Sequence, residues 1–327
     1  MKKYFLRQRY YFAFIIACLL FSCTKKQSTE PDPAAQDVTL AAPPAGQGVQ
    51  VVIPPFTVAP GTEIQRNYFL TLSSDSDIYI NKIQFAYNPG SHHCNVFKSD
   101  SLTKPEGTFD ETFVSIDYTK WDMFAASQQA DFVWQLPAGV AIKLKAHQQL
   151  AIQTHYVNGG AQLTPNARGK VMINFWTIPK SEVTNTAGLI FSSNDRINLP
   201  PHDSLRVQKF VVIPWDRIPA KSINILAMTG HFHSRGKDFW VEHREINHTE
   251  IYRNVAWDEP QIKVYAGNGY VLPLNHHLDF FTKYYNPGND TIRMGPHVIN
   301  QEHSNLFLFY YPGTTDGKAI YDIDGGW

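Results

Sequence analysis

The sequence predicts an all-β protein built mainly from antiparallel β-sandwiches, and three observations support this fold class. From residue 51 onward, short runs of β-branched and aromatic residues alternate with polar ones at a period near two. Pro, Gly, Asn or Asp interrupt these runs at the spacing expected of sandwiches. No stretch combines helical periodicity with good capping residues. The clearest predicted strands are residues 68–72, 78–83, 171–176, 210–213, 262–265 and 306–310.

Composition and charge exclude several classes of protein. Hydrophobic residues make up 43% of the 327 residues and aromatic residues 13%, which is enough apolar surface for a core and excludes a disordered or collagen-like chain. The 29 basic and 29 acidic side chains balance, so no net positive field attracts a nucleic acid. Beyond the first residues, no segment is long and apolar enough to predict a membrane span.

The first 22 residues predict a lipoprotein signal peptide. A basic start is followed by a run of about a dozen apolar residues, which is too short to predict a spanning helix. The run ends in Leu-Phe-Ser-Cys at residues 20–23, which resembles the lipobox of bacterial lipoproteins. By that resemblance Cys23 is lipidated and anchors the protein in the cell envelope. Thr24 lacks the acidic character of an inner-membrane retention signal, which favours the outer membrane.

Residues 23–48 are rich in Lys, Gln, Ser, Pro and Ala, and predict a flexible tether. A Pro-containing break at residues 178–182 divides the remainder into two predicted domains, residues 49–180 and 181–327. With Cys18 in the signal peptide and Cys23 lipidated, Cys94 has no cysteine left to pair with. Stability therefore has to come from the core without a disulfide.

Histidine placement carries the candidate chemistry. His231 and His233 form an H-x-H pair on a predicted strand, where residues i and i+2 project from one face and can reach one metal ion. A cupin needs a Glu a few residues downstream, and a multicopper oxidase needs several H-x-H pairs; neither pattern is present. A polar strand face therefore remains the alternative to a metal site.

The other histidines carry weaker signals. His92 and His93 follow a Pro-Gly turn, and because neighbours on a regular strand point in opposite directions, joint ligation would need an irregular backbone. His155 on a predicted strand and His303 just before another are isolated, so a structural role is the simpler interpretation of each. The remaining candidates are interpreted as surface residues: His147, His243, His248, His276 and His277.

Taken in chain order, these histidine segments resemble the copper type II, ascorbate-dependent monooxygenases, the family of the peptide-amidating hydroxylase and dopamine β-hydroxylase. The resemblance covers roughly residues 50 to 315. It is carried by Pro-Gly-Thr-Glu at 60–63, Pro-Gly-Ser-His-His at 89–93, Gln-Thr-His-Tyr-Val-Asn at 153–158, Gly-His-Phe-His-Ser-Arg-Gly-Lys at 230–237, Tyr-Tyr-Asn at 284–286, Glu-His at 302–303 and Tyr-Tyr-Pro at 310–312.

The resemblance implies two jelly-roll-like β-sandwich domains facing a solvent cleft, with one copper in each. An electron-transfer copper would be held by His92, His93 and His155, and an oxygen-binding copper by His231, His233 and a third ligand. Ascorbate or another reductant would reduce both coppers, and O2 would convert a C–H bond of an unknown small-molecule or peptide-like substrate to C–OH. No nucleic acid is expected as a partner, and the membrane is contacted through the lipid anchor.

Three positions depart from the family. The family's third oxygen-site ligand is a Met after a Glu, whereas His303 follows Glu302 here; an imidazole shifts preference from Cu(I) towards Cu(II). Met294 is the alternative soft ligand. Thr229 and Phe307 occupy the positions where peptide-amidating members carry a substrate-binding Arg and Tyr, which argues against glycine-extended peptides as substrate. A non-catalytic copper-binding or ligand-binding lipoprotein, or a zinc-dependent hydrolase, would fit these departures.

Overall fold

The computed structural model describes residues 37–101, 104–159 and 167–324, and within these ranges the chain is all-β. No α-helix occurs in them, and the helical content is two 3-10 turns, Lys180–Glu182 and Trp215–Arg217. Within these same ranges no helix is long and apolar enough to cross a membrane. The predicted signal peptide and the lipidation site Cys23 lie outside the described residues, so both stay predictions.

The first half of the chain contributes ten strands, and most of its predicted strands are found where alternation placed them. The strands are β1 (Gly48–Thr57), β2 (Thr62–Thr71), β3 (Ile78–Tyr87), β4 (Ser91–Ser99), β5 (Phe109–Glu111), β6 (Asp122–Ser127), β7 (Asp131–Gln135), β8 (Val140–Leu144), β9 (Gln149–Asn158) and β10 (Arg168–Thr177). One sheet has the order β1-β10-β3-β8 with β7 also paired to β3, and the second has the order β5-β2-β9-β4-β6.

The second half contributes fourteen described strands, of which β11 joins the first sheet of the first half by pairing with β8 and the other thirteen form three sheets. The strands are β11 (Asn185–Thr186), β12 (Gly188–Ser193), β13 (Asn198–Leu199), β14 (Ser204–Val211), β15 (Ser222–His231), β16 (Gly236–His243), β17 (Thr249–Asn254), β18 (Lys263–Val264), β19 (Tyr270–Pro273), β20 (Leu278–Tyr285), β21 (Ile292–Met294), β22 (Gln301–Glu302), β23 (Asn305–Tyr311) and β24 (Ile320–Ile323). Their orders are β18-β15-β23-β12-β24 with β19 on β15, β14-β20-β16-β17, and β13-β21-β22.

Strand pairing is mostly antiparallel, as alternation predicts, with three exceptions. The pairs β8–β11, β12–β24 and β21–β22 are parallel. Each parallel pair includes a strand of two to four residues near the end of a sheet path or in a small sheet, where few hydrogen bonds constrain strand direction. The prediction of antiparallel pairing therefore fails only at these short additions.

The two halves share apolar packing while keeping nearly separate sheets. Among the described strands, β8–β11 is the hydrogen-bonded pair that joins a strand before residue 180 to one after it. The core of the first half nevertheless includes Phe191, Phe307 and Phe309 from the second, and the Trp134 ring lies 4.7 Å from that of Phe309. A second core lies wholly in the second half. The predicted domain boundary at residues 180/181 thus stays a prediction.

Described residues that precede the predicted domain start at residue 49 already contact the first half of the fold. The Asn88 side chain accepts a hydrogen bond from the backbone N–H of Val38 at 2.7 Å. The Lys170 ammonium donates a hydrogen bond to the Val38 carbonyl, also at 2.7 Å. The Asn174 amide donates to the carbonyl of Ala41 at 2.8 Å. This last part of the predicted tether is therefore fastened along β10 and the end of β3.

Candidate metal centre

The structure brings all six predicted metal-ligating histidines into one place. They are His92, His93, His155, His231, His233 and His303, and they are called here the central histidine cluster. Ring centroids of neighbouring members lie 4.6 to 5.5 Å apart. Segments that are more than 200 residues apart in sequence therefore supply one contiguous set of imidazoles.

A β-bulge lets the adjacent pair His92 and His93 serve the same cluster. Strand β4 pairs with β9 through Ser91–Tyr156 and then His93–His155, so the register shifts by one residue at His92. A bulge re-aims side chains that a regular strand would send to opposite faces. The irregular backbone that joint ligation needs is thus present, and both rings lie within 5.3 Å of the His155 ring.

The H-x-H pair lies at a strand end rather than within a strand. Strand β15 ends at His231, and His233 lies in the turn that leads to β16. Alternation still holds across the pair, because the intervening Phe232 is fully buried in the second core while the two imidazoles point to the cluster. The prediction that both residues lie on a strand is wrong for His233, but their shared direction is as predicted.

A buried carboxylate fixes this turn. Glu302 on β22 accepts the backbone N–H groups of His233 at 2.8 Å and Arg235 at 2.6 Å. Burial raises the pKa of Glu302 to about 7, although the backbone N–H groups of Arg235 and His233 act in the opposite direction. His303 follows Glu302 in the sequence, and its ring lies 4.6 Å from that of His233 and 5.4 Å from that of His231.

The cluster is not divided into two separate triads, which the family resemblance implied. His92 belongs to two groups whose ligand atoms all lie within 4.8 Å of one another, one with His93 and His155 and the other with His231 and His233. The His92 ring is closer to that of His231, at 4.7 Å, than to that of either partner in its own half. In this structure the strand ends from the two halves meet directly. No wide cleft therefore separates the cluster histidines of one half from those of the other.

Hydrogen bonds to one ring nitrogen leave the other free for a ligand. The amide oxygen of Gln128 faces His231 Nδ1 at 2.5 Å, and the backbone carbonyl of Gln301 faces His233 Nδ1 at 2.9 Å. Since carbonyl oxygens only accept, each Nδ1 carries the hydrogen and each Nε2 keeps its lone pair. By the same reasoning, the Glu63 carboxylate at 3.3 Å from His155 Nε2 leaves Nδ1 of that ring as the free base.

Several buried ring nitrogens have no hydrogen-bond partner at all. They are His92 Nε2, both nitrogens of His93, His233 Nε2 and His303 Nδ1. A buried polar atom left unpaired costs roughly 1–3 kcal/mol, so a concentration of them indicates a missing partner. Neutral imidazole nitrogens at this spacing are metal ligands, and the cluster could therefore hold a metal ion.

All six imidazoles are held in the neutral form. Burial lowers the pKa of every member, and the neighbouring histidines lower it further for His92, His231 and His303. Burial brings the pKa of His233 to about 3, against the opposing effect of the Gln301 carbonyl. For His155, burial also outweighs the Glu63 carboxylate, which acts in the other direction. Metal ions bind the neutral form, so the site is in the ligating state at neutral pH.

A cavity of ≈ 260 Å³ lies against the cluster and touches His93, His231 and His303. No Asp, Glu, Lys or Arg lines it among the described residues. Its polar lining combines amide groups, from Gln65, Asn95, Gln128, Gln153 and Asn305, with the hydroxyl-bearing side chains of Ser115, Tyr118, Ser127 and Ser193. Its apolar lining includes Phe113, Phe191 and Phe307. Thr229 and Met294 also line it. An uncharged molecule of modest size fits this chemistry, because a charged one would be desolvated without an opposite charge.

Residues that support the cluster were not identified from sequence. Gln128 follows β6 in the first half yet contacts His231 in the second, and its amide also donates to the Thr229 hydroxyl at 3.2 Å. Glu63 likewise joins His155 to the second half by accepting the N–H groups of Val298 and Ile299, each at 3.2 Å. Glu63 belongs to the Pro-Gly-Thr-Glu stretch of the resemblance, but no role was predicted for it or for Gln128, because their partners come from distant segments.

One interpretation of the surface histidines is wrong. His243 is buried, and its ring contacts both the Tyr270 hydroxyl and the His276 ring. His276 is half-buried, and with Glu245 these two histidines form a third group whose ligand atoms lie within 4.8 Å of one another. The sequence hides this group because its two histidines are 33 residues apart and neither belongs to a recognisable motif.

Comparison with known proteins identifies no family. No protein-family profile and no curated protein matches the chain. Among solved structures, PNGase F, a glycosylasparaginase from Flavobacterium meningosepticum, is 11% identical, with 88% of this chain and 97% of that chain covered and a TM-score of 0.24. Vicilin from Corylus avellana (hazelnut) is 6% identical over 81% of each chain, with a TM-score of 0.18.

Stability of the metal-free protein is expected to fall steeply below pH 6.5. The pKa of these imidazoles in the folded protein lies below 6.5, the ordinary value for an unfolded chain. Their contribution to stability is therefore complete above pH 6.5. It is lost at lower pH because the unfolded chain then takes up protons that the folded chain does not bind. A buried imidazole whose folded pKa lies well below 6.5 contributes a slope approaching about 1.4 kcal/mol per pH unit once the pH is below that value, and the contributions of the cluster add. Denaturant unfolding of chelator-treated protein at pH 7.5, 6 and 5 measures the free energy of unfolding as a function of pH. A free energy of unfolding that stays constant over this range would contradict it, and a His93→Gln, His303→Gln variant should show a shallower slope.

Replacing Gln128 by Leu should weaken metal binding without removing a ligand. The change deletes the acceptor that fixes the tautomer of His231, and loss of such a supporting hydrogen bond typically costs about 10–100-fold in metal affinity. Competition titration against a chromophoric chelator measures the affinity. Gln129→Leu at the next position is the matched control and should bind as wild type does. Equal affinities for the two variants would show that Gln128 does not position His231.

Proposed function

We propose that the protein is a copper-dependent monooxygenase that hydroxylates a C–H bond of an uncharged organic substrate, using O2 and a reductant such as ascorbate. The observation that carries the proposal is the central histidine cluster, whose unpartnered buried nitrogens adjoin a cavity without charged walls. Copper is proposed over zinc because the order of the histidine segments resembles the copper type II monooxygenases. Imidazole nitrogen is a good ligand for either metal.

Two copper ions fit the number of ligands. We assign His92, His93 and His155 to one ion, and His231, His233 and His303 to the other, as the resemblance implies. Bound copper would supply electron transfer and the activation of O2. Gln128, Glu63 and the Gln301 carbonyl orient three of the six rings, so each presents one defined nitrogen. His92 contacts rings of both triads, so the residues that would hold the two ions are not separated within the fold.

The cavity indicates the chemical class of the substrate. Asn305 Oδ1 is buried, lacks a hydrogen-bond partner and belongs to the cavity wall, so it can accept a donor group from a ligand. The aromatic walls favour an apolar body. Thr229 and Phe307 line the cavity where a charged anchor would be needed for a carboxylate. We therefore propose a neutral, partly apolar substrate that carries a hydroxyl or amide N–H.

The chain's own residues would bind and orient this substrate. The side chains of the cavity wall would hold the reacting C–H bond beside His231 and His303, both of which touch the cavity. Phe113 and Phe191 exclude water from part of the wall, which protects a reactive site from side reactions. Placing substrate and metal ligands within one small cavity supplies the proximity that a two-partner reaction needs.

A second candidate is a non-catalytic copper-binding or ligand-binding lipoprotein on the same fold. It is favoured by His303, an imidazole in the place of the thioether that the resembling family uses. Met294 lines the same cavity and pairs in register with Glu302 on the neighbouring strand, which keeps a soft ligand available near His303.

For the scaffold we propose two jelly-roll-like β-sandwiches, supported by the nearly separate sheets of the two halves.

The protein should bind two copper ions per chain and reoxidise after reduction by ascorbate. Copper titration gives the stoichiometry, and stopped-flow mixing of the Cu(I) form with oxygenated buffer gives the reoxidation rate. His233→Gln should lose one equivalent, while His147→Asn, which changes an exposed histidine, should not. Two coppers without oxygen-dependent reoxidation would favour the non-catalytic candidate, and failure to bind copper would reject both the monooxygenase and a copper-binding role.

We also propose a lipid-anchored protein of the cell envelope, in the outer membrane, on the strength of the residues around Cys23. Cys23→Ser should abolish incorporation of labelled palmitate and release the protein from the membrane fraction. Cys94→Ser is the matched control, because that cysteine is buried and free within the fold. Its labelling should equal that of wild type. Unchanged labelling of the Cys23 variant would overturn the anchor.

A further inference from the structure

The strand that leads away from the central histidine cluster ends in a second group of metal-ligating side chains. Strand β16 starts at Gly236, just after the H-x-H turn, and ends at His243. At about 3.3 Å per residue the strand carries the chain roughly 23 Å. There it meets the turn between β19 and β20, which bears His276 and His277. Metal binding at this end would therefore be separate from binding at the cluster.

The hydrogen bonds of His243 prepare one ring nitrogen as a ligand. The Tyr270 hydroxyl lies 2.7 Å from His243 Nδ1, and His276 Nδ1 lies 2.8 Å from His243 Nε2. Tyr270 orients the ring from behind, as partners of metal-bound histidines commonly do. The two facing nitrogens are close enough for both to coordinate one ion after a small opening, because the ion takes the place of the proton that they share.

An oriented carboxylate completes the group. Glu245 Oε2 lies 3.7 Å from His243 Nε2. Its carboxylate is held by His277, whose backbone N–H binds Oε2 and whose Nδ1 binds Oε1, each at 2.7 Å. Burial would raise the pKa of Glu245, but the two hydrogen bonds from His277 dominate and lower it to about 2. The nearest guanidinium, Arg244, is already bound by Asp279 at 2.7 and 2.8 Å and does not compete for this carboxylate.

We propose that His243, His276 and Glu245 form a binding site for a divalent cation of the zinc class, here called the outer site. Two imidazole nitrogens and one carboxylate oxygen are a typical zinc ligand set, with a fourth position left for water. His243 is buried while His276 and Glu245 reach solvent, so an ion can enter from outside. The site would tie the β16 end to the β19–β20 turn. This inference is independent of the proposed copper chemistry.

Zinc stoichiometry of the full chain tests the outer site. After equilibrium dialysis against Zn²⁺, His276→Ala should hold one zinc per chain fewer than wild type. The control His248→Asn changes an exposed histidine of the neighbouring loop whose side chain pairs with Glu242, and it should match wild type. His277→Ala removes the ring hydrogen bond to Glu245 but keeps the backbone one, and should retain the site with an affinity weakened by about 10–100-fold. Equal zinc content in wild type and His276→Ala would overturn the proposal.

Two further variants keep the test decisive. Should His276→Ala fail to give a native circular dichroism spectrum, Glu245→Gln supplies the same comparison from a partly exposed position. A His92→Gln, His231→Gln variant disables the central histidine cluster and should still show the zinc that His276→Ala removes. Retention of that zinc in the cluster variant, together with no copper-dependent reoxidation in the wild type, would reject the monooxygenase alone. Its disappearance in the cluster variant would instead place the ion in the cluster and overturn the outer site.

Discussion

The arrangement of the site depends on one constraint, the desolvation of six imidazoles at the place where the two halves meet. Burial excludes the protonated form of each ring, and the crowding of rings at 4.6 to 5.5 Å excludes it further. Neutral rings still need partners for their nitrogens, and several here have none. Apolar side chains of similar size would satisfy the same volume at lower cost, so a set of six histidines indicates a ligand rather than packing.

Support for the cluster comes from both halves, which couples the fold to the site. Gln128 and Glu63 belong to the first half but bind groups of the second, and Phe307 and Phe309 of the second half pack into the core of the first. A site that needs both halves in register also explains why the two cores are not independent. This shared packing joins the two halves more extensively than the hydrogen-bonded strand pair β8–β11 does.

The all-β class, several of the strands and the six histidines could be predicted from the sequence, because alternation and local motifs extend over only a few residues. The prediction at residues 210–213 overlaps β14 at two residues only. The sequence also indicated the need for an irregular backbone at His92, which the bulge in β4 meets. Contacts between segments that are distant in sequence could not be predicted from alternation or local motifs. The meeting of His92 with His231 depends on how the halves pack, and the pairing of His243 with His276 depends on a strand end meeting a turn. Neither leaves a periodic trace in the sequence.

The contiguity of the cluster decides which chemistry this place in the fold can support. His92 neighbours rings of both halves, so the nitrogens able to hold a metal ion share one buried environment. A low local dielectric would strengthen the interaction of a bound ion with these ligands. The same environment disfavours an uncompensated charge, and the described residues of the adjoining cavity wall are accordingly amides, hydroxyls and apolar or aromatic side chains.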